Sequence, residues 1–147
     1  MRRVVVTGIG TINSTGHNVK DSFKAVVDGV CGIDTITLFD ASEFSVKIAG
    51  EVKDFDPTTV MDKKEVKKAD RFIQLGIKAA LEAMIDSGYV TQEDKKVDAS
   101  IADRFGMISG SGIGGLSTIE RNSIVCETKG SRKVSPFFIP SSLANML

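Results

Sequence analysis

The sequence contains few of the residues that build metal sites and disulfide frameworks. Its 147 residues include two cysteines, one histidine, one tyrosine, three prolines and no tryptophan. It has no HxxxH, CxxC or paired-carboxylate pattern, so it predicts no metal site. Cys31 and Cys126 are too few for a disulfide framework, and we expect both thiols to be free in a reducing, cytoplasmic setting.

An excess of charge of one sign and long apolar runs are also missing. Lys plus Arg and Asp plus Glu each total 19, and this balance excludes a global basic field for nucleic acid or an anionic membrane. No apolar run approaches the ~20 residues of a membrane span. The first residues lack the apolar core and cleavage site of a signal peptide. We therefore expect a cytoplasmic globular protein that binds neither nucleic acid nor membrane.

The abundant residue is glycine, and the pattern around it favours an α/β protein with tight turns. There are 14 glycines against three prolines. Residues 4–6 and 105–109 are short, apolar and followed by glycines, which predicts two buried parallel strands. Helical periodicity follows each strand. One helix is expected to begin after an Asn18 cap, with Gly29 and Gly32 marking its exit, and another to occupy about residues 116–129.

A further helix is predicted between Asp70, a candidate N-cap, and Gly88, a candidate left-handed exit. Its apolar face consists of Ile73, Ile77, Ala80, Leu81 and Met84. Residues 89–104 are polar and predict an exposed loop, and residues 33–69 predict an irregular excursion with short strands. Two strands and three helices make a poor closed parallel sheet. Either the excursion supplies the missing strands or, as we favour, the chain is part of a larger fold.

A glycine motif and a basic cluster are the two candidate binding features. Gly110-x-Gly112-x-x-Gly115 matches the dinucleotide fingerprint, but no acidic residue follows ~20 positions later, so a tight turn for close packing is favoured. The second feature is three lysines at i, i+3 and i+4 of one predicted helical face, which suits either an acidic partner or plain solvation. These lysines are Lys64, Lys67 and Lys68.

The residues present do not assemble a complete catalytic set. His17 lies in a turn without an accompanying nucleophile, which is more typical of a loop residue than of a base. Cys31 lies at a helix exit and Cys126 within a helix, and neither position activates a thiolate. We interpret both cysteines as packing residues.

Blocks spread along nearly the whole chain resemble, in order and spacing, the N-terminal third of the β-ketoacyl-acyl carrier protein synthase II family. The blocks are Arg2-Arg3-Val4-Val5-Val6-Thr7-Gly8-Ile9-Gly10, Phe39-Asp40-Ala41-Ser42, Ala49-Gly50-Glu51-Val52-Lys53-Asp54-Phe55-Asp56, Asp70-Arg71-Phe72, Gly110-Ser111-Gly112-Ile113-Gly114-Gly115 and Ser135-Pro136-Phe137-Phe138-Ile139-Pro140. The resemblance implies a thiolase-like α/β fold, layered α-β-α-β-α in the full enzyme. Residues 1–147 would form the incomplete N-terminal half, with the excursion at about 33–69.

The resemblance also implies a function, the decarboxylative Claisen condensation of an acyl thioester with malonyl-acyl carrier protein, performed by a homodimer without a cofactor. In that family the nucleophilic cysteine and both catalytic histidines would lie beyond Leu147, so we expect no catalytic residue here and no activity from this chain alone. Lys64, Lys67 and Lys68 match carrier-protein docking positions, which favours the acidic-partner interpretation. Ile113 matches a residue of the acyl tunnel, and Phe138 and Ile139 match residues that reach the partner subunit's acyl pocket.

Two other functions stay open from the sequence, as does the choice between a fatty-acid and a polyketide product. The first is a non-catalytic fragment that binds carrier protein or a complementary polypeptide. The second, less favoured, is a dinucleotide-binding protein. We also expect marginal stability or self-association of the isolated chain, because its strands would have open edges and Phe137, Phe138 and Ile139 would expose apolar surface.

Overall fold

The structure is a computed structural model that describes residues 3–146, with side chains through Asn145. Arg2, which opens the first matched block, and Leu147 lie outside the described residues. The helices are α1 (Val19–Val27), α2 (Lys63–Val66), α3 (Arg71–Asp86), α4 (Leu116–Lys129) and α5 (Phe138–Ser142), and the strands are β1 (Asp34–Thr35) and β2 (Ile48–Ala49). Short 3-10 turns occupy Pro57–Thr59, Ala102–Arg104, Ser131–Lys133 and Ala144–Met146.

The two parallel strands predicted from the sequence are not formed. Within residues 3–146 the strands pair only as an antiparallel ribbon of β1 and β2, in the register Asp34↔Ala49 and Thr35↔Ile48. Residues 4–6 and 105–109 are not in strands there, and Val4 is 95% exposed. A parallel strand is stable only between neighbouring strands with both faces covered, and this part of the chain supplies neither.

The predicted first helix is confirmed at both ends, but its apolar face is not buried. The Asn18 side chain caps α1 by accepting the Asp21 backbone N–H at 2.8 Å. Gly29, with φ +70°, follows the helix as the expected left-handed exit. Phe23 is nevertheless 69% exposed, and Val26 and Val27 are exposed beside it. The helix is therefore amphipathic, but its apolar face is not packed against another part of the described chain.

The other predicted helices have the expected bounds. α3 ends before Gly88, which has φ +78°, and α4 ends before Gly130, which has φ +85°. Residues 89–104 form the expected irregular, largely exposed segment. The segment 33–69 contains β1, β2 and α2, all of them short.

The chain divides into two compact units. The first unit contains the residues up to Asp56 and Ala79–Lys95, and the second contains Pro57–Lys78 and the residues from Lys96 onward. In the first unit, the backbone around Gly10 lies so close to α3 that an added Cβ would be 2.1 Å from the Ala79 carbonyl oxygen. Glycine is therefore required there for the segment to reach the helix.

Little of the apolar surface is buried in either unit. Among the described residues the buried hydrophobic side chains are Ala41, Ile73 and Val90, and none of the large ones is fully enclosed. The chain exposes 11255 Å², against about 7,300 Å² expected for a compact protein of its mass. The surplus favours the interpretation that these elements belong to a larger fold. None of the helices in the described part of the chain is long and apolar enough to cross a membrane.

Candidate functional site

All of the site residues suggested by the resemblance lie in the second unit. They come from three segments: the basic helix α2 with its exit, the glycine turn at residues 110–115, and α5. The residues are Lys64, Lys67 and Lys68; Ile113; and Phe138 and Ile139.

The three lysines lie along one helical turn and its continuation. Lys64 is within α2, and Lys67 is its C-cap. The N–H groups of Lys68 and Ala69 both donate to the Glu65 carbonyl, which extends the turn past the helix end. The i, i+3, i+4 arrangement predicted from the sequence is therefore kept over a helix of only four residues. Lys64 and Lys67 are exposed.

Lys68 differs from its neighbours because its side chain already has partners. Its Nζ lies 2.8 Å from Glu65 Oε1 and 5.5 Å from the centre of the Phe137 ring. The side chain remains 42% exposed. An exposed ion pair and a cation–π contact are each weak in water. Lys68 can therefore exchange these contacts for a stronger acidic partner.

The glycine turn is a packing device. The Gly115 N–H donates to the Ser142 carbonyl at 2.9 Å, and the Gly114 N–H donates to Ser111 Oγ at 3.0 Å. A Cβ added to Gly115 would lie 2.6 Å from the Ser141 carbonyl oxygen. This geometry supports the close-packing interpretation and explains why a side chain is not tolerated at the last glycine of the motif.

Asp70 does not cap α3 as predicted; its carboxylate is used at the start of α4. Asp70 Oδ2 accepts the backbone N–H and the hydroxyl of Thr118 at 3.0 and 2.5 Å. Thr118 lies in the first turn of α4, whose free N–H groups and positive dipole end favour a carboxylate. The position that a pyrophosphate would occupy in a dinucleotide site is thus held by a protein anion, which argues against that alternative.

α5 is attached to the same region by a buried serine. Ser141 Oγ lies 2.6 Å from the Lys68 carbonyl oxygen and 2.5 Å from the Phe137 carbonyl oxygen, so one hydroxyl proton serves two acceptors. Ser141 and Ser142 are both buried, although α5 is otherwise mostly accessible. The basic segment and α5 are therefore joined by a partly buried hydrogen bond.

The apolar residues assigned to the acyl tunnel are largely uncovered. Ile113 is 65% exposed, Ile139 is 57% exposed and Phe138 is partly buried. The hydrogen bond from Gly115 to Ser142 holds the turn that carries Ile113 against the helix that carries Phe138 and Ile139. Large apolar side chains beside rigid backbone contacts are suited to lining a channel for a hydrocarbon chain once covered.

The potential nucleophiles and bases are not organised for catalysis. Cys31 and Cys126 are free and exposed. His17 Nε2 lies 2.8 Å from the Lys53 carbonyl oxygen, and the ring meets Phe55 edge-on, so its contacts include no nucleophile. Among the residues that the structure describes, His, Cys, Asp and Glu form no group able to hold a metal ion.

Sequence reasoning missed two polar clusters. One cluster contains the contacts of Asp70 with Thr118 and of Ser141 with Lys68. The one sequence signal for it was Thr118, which lies in the first turn of a helix that follows a glycine turn. The other lies in the first unit, where buried Glu51 accepts the N–H and hydroxyl of Thr37 at 2.9 and 2.7 Å and the Leu38 N–H at 3.1 Å. Those hydrogen bonds, above all from Thr37, lower the pKa of the Glu51 carboxyl below its usual value.

Comparison with known families decides among the remaining interpretations. The family described as "Beta-ketoacyl synthase, N-terminal domain" matches residues 1–147. The chain belongs to the β-ketoacyl synthase family. The family recognised from the sequence is thereby confirmed.

Members of the β-ketoacyl synthase family match almost the whole chain. It is 49% identical over 146 residues to the "3-oxoacyl-[acyl-carrier-protein] synthase 2" of Vibrio harveyi and 44% identical over 145 residues to that of Coxiella burnetii. Each match covers 99% of this chain and 34% of the relative. The chain therefore spans about one third of the length of these curated relatives.

Solved structures of the family confirm the fold class. A chain of the ishigamide ketosynthase/chain length factor superposes with a TM-score of 0.77 and 26% identity, covering 99% of this chain and 35% of that one. A chain from a type II polyketide acyl carrier protein in complex with its ketosynthase gives a TM-score of 0.74 and 26% identity, covering 99% of this chain and 38% of that one. The chain is thus an incomplete N-terminal part of a thiolase-like α/β fold.

Proposed function

We propose that this chain is the N-terminal segment of a condensing enzyme of fatty-acid elongation. The supporting observation is the 49% identity to a 3-oxoacyl-acyl carrier protein synthase over 146 residues. The reaction would extend an acyl thioester by two carbons taken from malonyl-acyl carrier protein with loss of carbon dioxide. The working enzyme would be a cytoplasmic homodimer without a cofactor.

In this proposal the segment binds acyl carrier protein and lines the path of the acyl chain, and residues elsewhere in the enzyme perform the covalent chemistry. Covalent acyl transfer requires an activated nucleophile within hydrogen-bond reach of a base. The cysteines and the histidine described here are not organised in that way. The 147-residue chain alone should therefore show no condensation above a no-enzyme control when supplied with acyl and malonyl thioesters of carrier protein. Product formation above that control would overturn this part of the proposal.

The basic segment would dock the acidic acyl carrier protein. Lys64 and Lys67 are exposed, and Lys68 holds only weak surface contacts, so all three can form new ion pairs. A carrier protein occurs in complex with its ketosynthase in one of the matched structures. Charge complementarity of this kind speeds encounter and is screened by salt.

Charge reversal tests the docking. Lys64→Glu with Lys67→Glu should weaken binding of acyl carrier protein to the chain by on the order of tenfold at low salt, because like charges then meet across the interface. Lys63→Glu is the matched control for Lys64→Glu alone, since each reverses one lysine charge in α2 and Lys63 lies outside the proposed docking set. If Lys63→Glu weakened binding equally, the loss would reflect the net charge of the chain rather than a specific docking site. Absence of binding by the unmodified chain at low ionic strength would end the proposal.

Ile113, Phe138 and Ile139 would line the acyl channel, with Phe138 and Ile139 reaching the partner subunit's pocket. The exposure of Ile113 and Ile139 in this chain supports the assignment, because such side chains need a cover that residues 3–146 do not provide.

A second candidate function is that of a non-catalytic fragment that binds carrier protein or pairs with a complementary polypeptide. The large uncovered apolar surface, including the face of α1, favours it. Titration with the separately expressed remainder of a related synthase distinguishes the cases. Condensing activity that appears only in the mixture would show complementation.

A further inference from the structure

Residues 68–70, called here the 68–70 connector, join the basic segment to both of the acyl-facing segments. At one end the Lys68 carbonyl accepts the hydroxyl of Ser141 in α5. At the other end the Asp70 carboxylate accepts two hydrogen bonds from Thr118 in α4. The connector is therefore hydrogen-bonded to α4, the helix that follows Ile113, and to α5, which carries Phe138 and Ile139.

These contacts are stronger than ordinary surface contacts. Ser141 is buried, and Asp70 and Thr118 are partly buried. Hydrogen bonds to a carboxylate are roughly twice as strong as neutral ones, and they gain strength away from water. Because Gly115 has no side chain, the Ser141 carbonyl oxygen and the Asp70 carboxylate can both lie close to its Cα.

Lys68 belongs to both the docking surface and the connector. Its Nζ faces Glu65 and the Phe137 ring, while its carbonyl holds Ser141. Phe137 immediately precedes α5. A partner that engages the Lys68 side chain therefore acts on a residue whose backbone already fixes α5.

We propose that the 68–70 connector couples carrier-protein docking to the order of the acyl-facing segments, with Lys68 and Asp70 as positioning residues. The inference rests on the proposed docking of carrier protein at Lys64, Lys67 and Lys68. Docking restrains the backbone that carries these lysines, and the connector passes the restraint to α5 and to the start of α4. No change of shape is needed, because ordering one end of a hydrogen-bonded segment lowers the cost of ordering the other.

Hydrogen exchange in the 147-residue chain, with and without acyl carrier protein, tests the coupling. The amides to follow are those of residues 114–119 and 139–143. Ser141→Ala removes the contact to Lys68, and Ser142→Ala is its matched control, because Ser142 is equally buried and its hydroxyl bonds to Ile139 within α5. Thr118→Val removes the hydroxyl contact to Asp70, and Thr118→Ser restores it.

In the unmodified chain, in Ser142→Ala and in Thr118→Ser, carrier protein should slow exchange at these amides by about fivefold or more. Ser141→Ala and Thr118→Val should lose the slowing. Because coupling is reciprocal, both should also bind carrier protein more weakly, by up to the same factor. A purely structural role would change exchange without carrier protein but would leave binding unaffected.

The outcomes separate this inference from the proposed function. Salt-dependent binding that leaves exchange at residues 114–119 and 139–143 unchanged would overturn the coupling and retain the docking. Equal slowing in Ser141→Ala and in the unmodified chain would do the same. Absence of binding by the unmodified chain would overturn both. The two positions are tested separately. A variant that loses the fold of the second unit, seen as fast exchange at residues 71–78 without carrier protein, leaves the other to decide.

Discussion

Gly112 and Gly115 belong to the same turn and to the same sequence motif, yet their surroundings differ. A Cβ on Gly115 would meet the Ser141 carbonyl oxygen at 2.6 Å and Asp70 Oδ2 at 2.9 Å, whereas nothing lies within 4 Å of a Cβ on Gly112. The motif as a string of letters does not distinguish them. Only the backbone of α5 passing beside the turn makes one of them indispensable.

Alanine substitution should reveal this difference. Gly115→Ala should lower the free energy of unfolding by about 1–3 kcal/mol, because backbone atoms cannot move aside as a flexible side chain would. Gly112→Ala should leave stability unchanged or slightly raised, since it restricts only the unfolded chain. Chemical denaturation of both variants measures the difference. Equal losses would show that the turn itself, rather than its contact with α5, requires glycine.

Glu51 gives the first unit a specific pH dependence. Its pKa in the folded chain lies below the ordinary value of 4.5, chiefly because of the hydrogen bonds from Thr37. A carboxyl with a lowered folded pKa contributes stability above its unfolded pKa and loses it as pH falls through the folded pKa. Glu51→Gln should therefore be less stable than the unmodified chain at pH 7, and the gap should narrow below about pH 4.5.

Thermal unfolding of the two proteins across pH 3–7 measures the gap. Glu93→Gln, at an exposed loop position, is the matched control and should track the unmodified chain throughout. A stability gap for Glu51→Gln that is constant with pH would contradict the assigned role of the carboxylate.

At the scale of elements, the sequence predicted the longer helices correctly but not the strands. α1, α3 and α4 each form where the sequence predicts, because their hydrogen bonds are made within the element and their ends are marked by Asn18, Gly29, Gly88 and Gly130. Residues 4–6 and 105–109 do not form strands, because a strand makes its backbone hydrogen bonds with another strand rather than within itself. The same apolar pattern therefore yields segments whose apolar side chains, such as those of Val5 and Ile108, are exposed.

Such segments should drive association of the isolated chain. Val5→Lys and Ile108→Lys place a charge on the two exposed apolar segments, and a charge at an unpaired edge opposes edge-to-edge pairing. Both variants should sediment as smaller species than the unmodified chain at the same concentration. Gln92→Lys adds the same charge in an exposed loop and should have no such effect. Association that is unchanged by all three substitutions would assign it to another surface, such as the apolar face of α1.

For the whole molecule, the ratio of buried to exposed apolar surface sets the stability. Three buried hydrophobic residues among those described are few for a chain of 147 residues. Net stability is a small difference between burial and conformational entropy, so a loss of burial on this scale removes most of it. The 147-residue chain, taken alone, should be marginally stable or self-associated.

A hydrophobic fluorescent dye and calorimetry measure this property directly. The chain should bind the dye in the absence of denaturant and unfold in a broad, concentration-dependent transition. A monomer with a sharp, cooperative melt and no dye binding would contradict it.

For the candidate site, as for the fold, the sequence predicted local patterns but not contacts between distant residues. The identity of the basic segment, the glycine turn and the Phe138 segment could be read from the sequence, because each is a local pattern of residue types. The contacts of Asp70 with Thr118 and of Lys68 with Ser141 join residues separated by 48 and 73 positions. No local periodicity encodes a pairing over such a separation, so Asp70 was expected to cap the helix that follows it.

The sequence by itself determined the family, the helices α1, α3 and α4, and the Asn18 cap, because residue spacing, capping groups and glycine positions act over a few neighbouring residues. The tertiary structure alone decided which glycines are packed against, where the Asp70 carboxylate acts, and that two apolar segments remain without strand partners. These outcomes depend on which surfaces meet, and a surface is formed by residues that the chain brings together only after its local elements exist.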